Sequence, residues 1–207
     1  MYFDRKCKIT FISHGATIYS DEYRYSDNIN YPPLNDAGQH EMEKMVNFLK
    51  KKGIKNDIIY SSPSACNVQS SQVVAGAYKQ KIIIKNELRQ RACGDWNGLT
   101  LNQIIEKNPN EVQNIFLEPD LKIGESCESL NEFINRISNT IEEIVNSNTG
   151  NRVIIITHPE VIQAAIIASI DLPVTSMSRF YIKTGTATQI TYYNGWASLK
   201  YSNYIPA

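Results

Sequence analysis

The stretch ITFISHGAT, residues 9–17, decides the predicted fold of this chain. Its first residues are mostly apolar and suit a buried strand, and the run then breaks at Ser-His-Gly. Gly15 allows the backbone to turn there, so His14 is presented where a strand ends. Open α/β sheets bind their ligands beyond the carboxyl ends of their strands. His14 is therefore a candidate functional residue.

A second histidine follows a second apolar run. The segment RVIIITH, residues 152–158, contains four consecutive aliphatic residues, which is typical of a central, buried strand. Both runs end in a hydroxyl residue followed by histidine, Ser13–His14 and Thr157–His158. If the two strands are neighbours, their ends converge on one crevice. We therefore expect the two imidazoles to lie within a few ångströms of each other.

Apolar periodicity predicts that strands alternate with helices along the chain. Strands are expected at 7–13, 57–61, 81–88 and 152–158, helices at 36–52, 63–78, 129–146 and 161–169, and a surface loop at 20–35. Residues 179–201 are typical of a hairpin turned at Asn194-Gly195. This order predicts an α/β fold, a three-layer sandwich whose mixed, mostly parallel sheet is flanked by helices. We expect one domain over residues 1–207, with an irregular insert at about 89–126 that contains short helices at 101–107 and 111–116.

The composition excludes several classes of function. Basic and acidic residues both number 21, so the formal net charge is +0 and no global field attracts nucleic acid or an anionic membrane. The four cysteines show no metal-like spacing, so we expect free thiols and neither a metal nor a cofactor. With no apolar run of membrane-spanning length and no signal pattern, we expect a cytoplasmic protein that binds a small molecule. A homodimer is left open.

Six sequence blocks follow one another over nearly the whole chain. They are FISHGAT (11–17), PPLNDAGQHEM (32–42), YSSPSACNVQSSQVVA (60–75), ELRQRACGDWNGLT (87–100), GESCESLNEFINR (124–136) and VIIITHPEVI (153–162). In this order they resemble the motifs of the histidine phosphatase (phosphoglycerate mutase-like) superfamily. The resemblance implies the phosphoglycerate mutase-like form of the α/β sandwich.

The resemblance also implies a chemistry. In that superfamily the first histidine attacks phosphorus, two arginines and a second histidine hold the phosphoryl oxygens, and a carboxylic acid protonates the leaving oxygen. Fixed cations matter most, because a phosphoryl group in transfer spreads negative charge over its oxygens. The nucleophile then falls on His14 and the second histidine on His158. The candidate substrate-binding residues are Ser13, Gly15, Thr17, Cys66, Arg89, Gln90 and Thr157.

The chain departs from the superfamily pattern at the charged positions. Ser13 stands where the pattern has the arginine before the nucleophile, and Cys66 stands at the second arginine. Gln90 replaces the acid, and Pro159 replaces the glycine after the second histidine. A hydroxyl or a thiol donates at most one neutral hydrogen bond, which does not replace a bidentate guanidinium. We therefore expect ordinary phosphatase activity to be weak or absent.

Other residues could compensate in part. Glu160 follows His158 at a predicted helix start and is our candidate catalytic acid, with Glu87 as an alternative. A carboxylate near a helix N-terminus is also favourable for electrostatic reasons alone. Arg89 and Arg91 flank Gln90, but strand-like alternation would point both away from the site.

Three hypotheses follow. The first is an enzyme that retains His14 and His158 as an acid–base or nucleophilic pair for a substrate with little or no phosphate charge. The second is a pseudophosphatase that binds a ligand or a protein partner, and the third is a weak phosphomonoesterase that forms phosphohistidine at His14. Without adjacent cations, at least one imidazole is expected to titrate near its ordinary pKa of about 6.5. If the tyrosines of residues 19–31 line the site, the substrate is aromatic or apolar: Tyr19, Tyr23, Tyr25 and Tyr31.

Overall fold

A mixed sheet of six strands forms the centre of the molecule. The computed structural model describes residues 4–26, 31–118, 120–122 and 127–206. The strands are β1 (Arg5–Ser13), β2 (Ile58–Ser61), β3 (Ile82–Ile84), β4 (Arg152–Thr157), β5 (Ala187–Tyr193) and β6 (Ala197–Tyr204). Their order across the sheet is β3-β2-β4-β1-β5-β6. The first four are mutually parallel, whereas β5 and β6 run antiparallel, as predicted for the hairpin.

Helices cover both faces of this sheet and make it the middle of three layers. They are α1 (Ile18–Asp21), α2 (Asp36–Lys51), α3 (Ala65–Tyr78), α4 (Leu101–Lys107), α5 (Pro109–Leu117), α6 (Leu130–Ser147) and α7 (Pro159–Ser169). Short 3-10 turns lie at Asn86–Leu88, Gly94–Trp96 and Val174–Arg179. Helices α6 and α7 bury their apolar faces on one side of the sheet, and α2 and α3 on the other. The predicted fold class is confirmed.

Local differences from the predicted elements have simple causes. The third strand is only Ile82–Ile84, because it is an edge strand that pairs only with β2, which ends at Ser61. Helix α3 begins at Ala65 rather than at Pro63, because Ser64 has the extended backbone of an N-cap. The predicted loop 20–35 overlaps α1, whose capping box joins Thr17 and Ser20.

Two predicted segments lie partly outside the described residues. These are the loop at 20–35, of which 27–30 are not described, and the insert at about 89–126, of which 119 and 123–126 are not described. The Gly-Glu-Ser of the fifth sequence block, 124–126, lies in the latter gap. Within the described ranges, no helix combines the length and the apolarity that a membrane crossing requires.

The register of the two central strands positions the histidines. Strand β1 pairs with β4 so that Ser13 lies opposite Thr157, and both strands are buried over most of their length. His14 and His158 are the next residues of the two strands, so they leave the same edge of the sheet side by side.

Two glycines bring helix α2 against the turn that follows His14. A Cβ on Gly38 would overlap the backbone of Ala16, and a Cβ on Gly15 would overlap the backbone of Gly38. The two segments can approach this closely only because neither glycine has a Cβ. The helix N-terminus is fixed in the same place, since Asn35 caps α2 and its backbone N–H donates to the Ala16 carbonyl.

Replacing Gly38 with alanine is therefore expected to destabilise the fold. The free energy of unfolding, measured in urea, should fall by about 1–3 kcal/mol because the backbones must move apart. Gly76→Ala is the matched control, since a Cβ at this α3 position meets no atom within 4 Å. That variant should gain up to ~1 kcal/mol from helix propensity. Equal effects of both variants would contradict the close-approach argument.

Candidate active site

The imidazoles of His14 and His158 meet at the carboxyl edge of β1 and β4. Their ring centroids are 5.2 Å apart and the rings are nearly perpendicular. The backbone N–H of His14 donates to the Thr157 carbonyl at 3.0 Å, which continues the strand pairing into the site. His158 is the N-cap of α7. Both side chains are buried.

The hydrogen bonds of His14 fix its tautomer. Its Nδ1 lies 2.8 Å from the carbonyl oxygen of Gly15, and a carbonyl only accepts, so Nδ1 carries the proton. The lone pair is therefore on Nε2, where the hydroxyl of Tyr31 donates to it at 3.1 Å. An imidazole held in this way can act as a nucleophile or a base through Nε2.

The N-terminal end of α3 holds the second imidazole. His158 Nε2 lies 2.9 Å from the amide nitrogen of Asn67 and 3.1 Å from the Ser64 hydroxyl. Its Nδ1 has no hydrogen-bond partner among the described residues. The ring of Tyr31 packs on His158 with centroids 4.8 Å apart and also touches His14. Tyr31 therefore covers both imidazoles.

Burial makes both imidazoles poor proton acceptors. It lowers the pKa of His14 to about 4, against a smaller raising effect of the Gly15 carbonyl. The pKa of His158 is lowered well below its ordinary value, first by burial and then by the charges of His14 and Arg136. The expectation that one imidazole titrates near 6.5 is therefore wrong. Both rings are buried rather than in water, so desolvation decides their pKa.

The side chains at the two former arginine positions face protein atoms. The Ser13 hydroxyl donates to the Lys183 carbonyl at 2.6 Å and accepts from the Thr186 backbone at 3.0 Å. The Cys66 sulfur lies 3.7 Å from the Ser64 oxygen. Burial raises the pKa of the Cys66 thiol to about 12, so it stays protonated and neutral. Neither residue brings charge to the imidazoles.

Three other predicted substrate-binding residues have structural partners. The Thr17 hydroxyl caps α1, and the Thr157 hydroxyl donates to the Leu88 carbonyl at 2.8 Å. The backbone N–H of Gly15 donates to Ser70 at 3.2 Å.

An ion-pair network holds the arginines around Gln90. Arg136 binds the Glu128 carboxylate and the carbonyls of residues 87, 89 and 90. Arg89 pairs with Glu128 at 3.3 Å, so its charge is engaged there. Arg91 does not point away as alternation predicted, because residues 89–91 are irregular rather than a strand. It faces an open cleft, and one of its Nη atoms has no partner among the described residues.

That cleft has a volume of about 490 Å³ and lies in front of Tyr31. We call it the aromatic cleft, because five tyrosines line it: Tyr19, Tyr23, Tyr25, Tyr31 and Tyr181. Of the predicted site residues, Gln90 and Glu160 line this cleft, whereas the other predicted residues lie outside its wall. Four of the tyrosines belong to the segment that the sequence singled out.

Glu160 is a carboxyl group of the aromatic cleft with a shifted pKa. Desolvation raises its pKa to about 6, and Arg91 is the strongest influence in the opposite direction. The Gln90 side chain donates a hydrogen bond to it, while Gln90 Oε1 itself has no partner in the described structure. Glu87, the alternative acid, is half-exposed and faces Lys85 at 3.8 Å, away from the cleft.

Cys66 completes a possible metal-ligand group that its sequence spacing did not predict. The donor atoms of His14, Cys66 and His158 all lie within 4.8 Å of one another, and this is the one such group among the described residues. Two nitrogens and a sulfur suit zinc, whose ligand atoms are roughly 3.5 Å apart. The three donor atoms would have to move slightly closer together to bind a zinc ion.

Sequence reasoning missed several residues of the site. Ser64 and Asn67 flank Cys66 at the start of α3, and a polar helix N-terminus after a strand is a signal that could have identified them. Tyr181 and Gln163 come from distant segments, and nothing in their local sequence marks them.

Comparison with known proteins identifies the family. The sequence model of the histidine phosphatase superfamily (branch 1) matches residues 9–204. The chain belongs to this superfamily. Phosphoglycerate mutase-like protein 4 of Arabidopsis thaliana is 26% identical over 160 residues, covering 76% of this chain and 68% of the relative. Phosphoserine phosphatase 1 of Hydrogenobacter thermophilus is 22% identical over 151 residues, covering 73% and 70%.

Structural comparison covers more of the chain than the alignments with these two relatives do. The solved structure of Bacillus stearothermophilus YhfR superposes with a TM-score of 0.87 at 22% identity, and the match covers 96% of this chain and 98% of that protein. The structural match confirms the fold, and the family model confirms the resemblance found in the six sequence blocks as superfamily membership.

The lowered pKa of the imidazoles predicts a loss of stability in acid. An unfolded histidine binds a proton near pH 6.5, whereas folded His14 does so near pH 4. Because the unfolded chain binds more protons in this window, the free energy of unfolding should fall as pH drops from 6.5 toward 4, by about 3 kcal/mol for His14 alone. Urea unfolding of the wild type and of His14→Gln measures this. His14→Gln should flatten the profile, and exposed His40→Gln should not.

Glu160 contributes with the opposite sign. Its folded pKa of about 6 exceeds the ordinary 4.5, so its contribution is complete below pH 4.5 and is lost as pH rises through 6. Glu160→Gln should therefore make the acid loss steeper. A Glu160→Gln profile no steeper than that of the wild type would contradict the assignment of Glu160, and a His14→Gln profile as steep as that of the wild type would contradict the assignment of His14.

Proposed function

We propose that this member of the superfamily is an enzyme for uncharged or weakly charged small molecules, with His14 as nucleophile and Glu160 as acid. The observation that carries the proposal is the state of His14. It is neutral because burial lowers its pKa against the smaller raising effect of the Gly15 carbonyl, and its lone pair is fixed on Nε2.

The absence of charge at the site argues against efficient phosphoryl transfer. Losing one preorganised donor at the reacting group costs roughly a hundredfold in rate or more. Here Ser13 and Cys66 are neutral at both arginine positions, and His158 is neutral at physiological pH. Arg136 and Arg89 are bound to Glu128. A dianionic phosphate next to His14 would therefore lack the two adjacent guanidinium groups that compensate its desolvation, since Arg91 faces the aromatic cleft instead.

Glu160 supports an acid–base role. A carboxyl group with a pKa of about 6 is partly protonated near neutral pH, which is the range in which a general acid is efficient. Gln90 and Arg91 line the same cleft, and each has a buried polar atom, an acceptor and a donor, without a partner among the described residues. They are candidates to orient a polar group of the substrate.

The aromatic cleft favours a substrate with a flat or apolar body. Tyrosine rings supply large apolar contact area, and their hydroxyls supply orienting hydrogen bonds. Tyr31 lies between the cleft and the imidazoles, so a reacting group must replace its hydroxyl at His14 Nε2. The names of the relatives include a phosphoserine phosphatase, and the charge loss at this site is the reason that we do not assign that activity here.

Tyr31 also favours a second candidate function, ligand binding without turnover. Its hydroxyl occupies the reactive nitrogen of His14, and its ring covers His158. A binding protein needs only the shape and the hydrogen bonds of the two imidazoles.

Hydrolysis assays with matched leaving groups test the proposal. The wild type should hydrolyse a neutral probe, p-nitrophenyl acetate, above the buffer rate, and p-nitrophenyl phosphate barely above it. His14→Gln should abolish the ester activity, and His40→Gln should leave it unchanged. Glu160→Gln should reduce hydrolysis of phenyl acetate about 10²-fold or more and that of p-nitrophenyl acetate much less, because phenolate needs a proton to leave and p-nitrophenolate does not. Rapid phosphate turnover that His14→Ala abolishes would instead support the phosphomonoesterase.

A different outcome would favour a binding protein. It is the absence of turnover over a panel of neutral esters, lactones and thioesters. Retained affinity of His14→Gln for a small molecule found in that panel would then establish binding without catalysis.

Rebuilding the charge clamp tests the explanation for weak phosphatase activity. The triple variant Ser13→Arg, Cys66→Arg and Gln90→Glu should raise p-nitrophenyl phosphate turnover by roughly a hundredfold or more, and each single change should do little, because such residues act as a unit. Adding His14→Ala should abolish the gain. Since Ser13 and Cys66 are fully buried, the melting temperature of each variant is measured first. A folded triple variant without any gain would contradict the explanation.

A further inference from the structure

A second cavity lies at the opposite edge of the sheet from the imidazoles. Its volume is about 490 Å³, and we call it the basic cavity because six of its twelve lining residues are cationic: Arg5, Lys8, Lys52, Lys55, Arg152 and Lys200. No acidic residue lines it among the described residues. Lys8 lies five residues before Ser13 on β1, which separates the basic cavity from the active site by about 17 Å of strand.

Two β-bulges turn basic side chains into this cavity. Between Arg5 and Cys7 strand β1 advances two residues while β5 advances one, so Arg5 shares a face with Lys8 instead of with Cys7. The pairing of β5 with β6 has the same irregularity between Leu199 and Tyr201. There it brings Lys200 to the face of Tyr201. A bulge commonly re-aims a side chain in this way.

The charges of the basic cavity are mostly uncompensated. Arg152 forms a bidentate pair with Asp57 at 3.0 and 3.1 Å. None of the four lysines has an acidic partner within 4 Å in the described structure. Burial lowers the pKa of Lys8, and the charges of Lys200, Arg5 and Arg152 lower it further. Like charges gathered without counter-charges destabilise an empty cavity, and an anion would relieve that repulsion.

Aromatic side chains form the remaining wall. The rings of Phe48 and Tyr204 stack with centroids 4.5 Å apart, and Tyr201 contacts Tyr204 edge-on at 6.0 Å. The Tyr201 hydroxyl is buried and has no hydrogen-bond partner among the described residues. The cavity thus offers cations, an apolar ring surface and an unpartnered hydroxyl.

The geometry points to a binding site for an organic polyphosphate with a flat ring, of the nucleoside triphosphate type, at the basic cavity. The lysines and Arg5 bind the phosphates, and the Phe48–Tyr204 pair contacts the ring. The site is independent of the proposed reaction at His14, because it shares no residue with the aromatic cleft.

Calorimetric titration of the full chain with ATP, tripolyphosphate and adenosine, without divalent metal, tests the assignment. ATP should bind most tightly, and its affinity should fall as salt is added. The double variant Lys8→Gln/Lys200→Gln should weaken ATP binding at least tenfold. It should remain folded, because removing two repelling charges does not destabilise the empty cavity. Lys44→Gln/Lys81→Gln, at two exposed lysines that do not line the cavity, should stay within twofold of the wild type.

The ring contact has its own variant. Tyr204→Ala should weaken ATP binding several-fold and leave tripolyphosphate binding unchanged. Three results would overturn the inference. They are no saturable ATP binding at millimolar concentration, an ATP affinity of the Lys8/Lys200 double variant equal to that of the wild type, or tripolyphosphate that binds as tightly as ATP.

Discussion

The parallel pairing of β1 with β4, in the register that sets Ser13 opposite Thr157, is the constraint on which the rest of the site depends. Side chains alternate along a strand, so a slip of one residue would move every buried side chain of β1 to the other face of the sheet. Two apolar cores therefore fix the register, one beneath α6 and α7 and the other beneath α2 and α3. With the register fixed, His14 and His158 must emerge together.

Burial then decides the chemistry of the two imidazoles. Every titratable group that touches them takes its neutral form: both histidines resist protonation, and the Cys66 thiol and the Tyr31 hydroxyl resist ionisation. A dry site can hold charge only when opposite charges are built in beside it. Ser13 and Cys66 bring no such charge to the imidazoles, and the proposed preference for a neutral substrate rests on this.

The two edges of the sheet differ in charge. The carboxyl edge holds neutral imidazoles behind a wall of tyrosines, whereas the amino edge gathers six cations around one cavity. The formal net charge of +0 conceals this division, because it sums over the whole surface. Binding at one edge need not interfere with chemistry at the other.

The sequence by itself determined the three-layer α/β fold class, most of its strands and helices, and the meeting of His14 with His158. Periodicity and turn residues such as Asn194-Gly195 report directly on which residues are buried and where the chain reverses. Only the tertiary structure decided the pKa of the imidazoles, the position of Tyr31 over them, the orientation of the Arg91 side chain toward the cleft, and the formation of the basic cavity. These depend on desolvation and on distances between residues as far apart as Lys8 and Lys200, which no local pattern encodes.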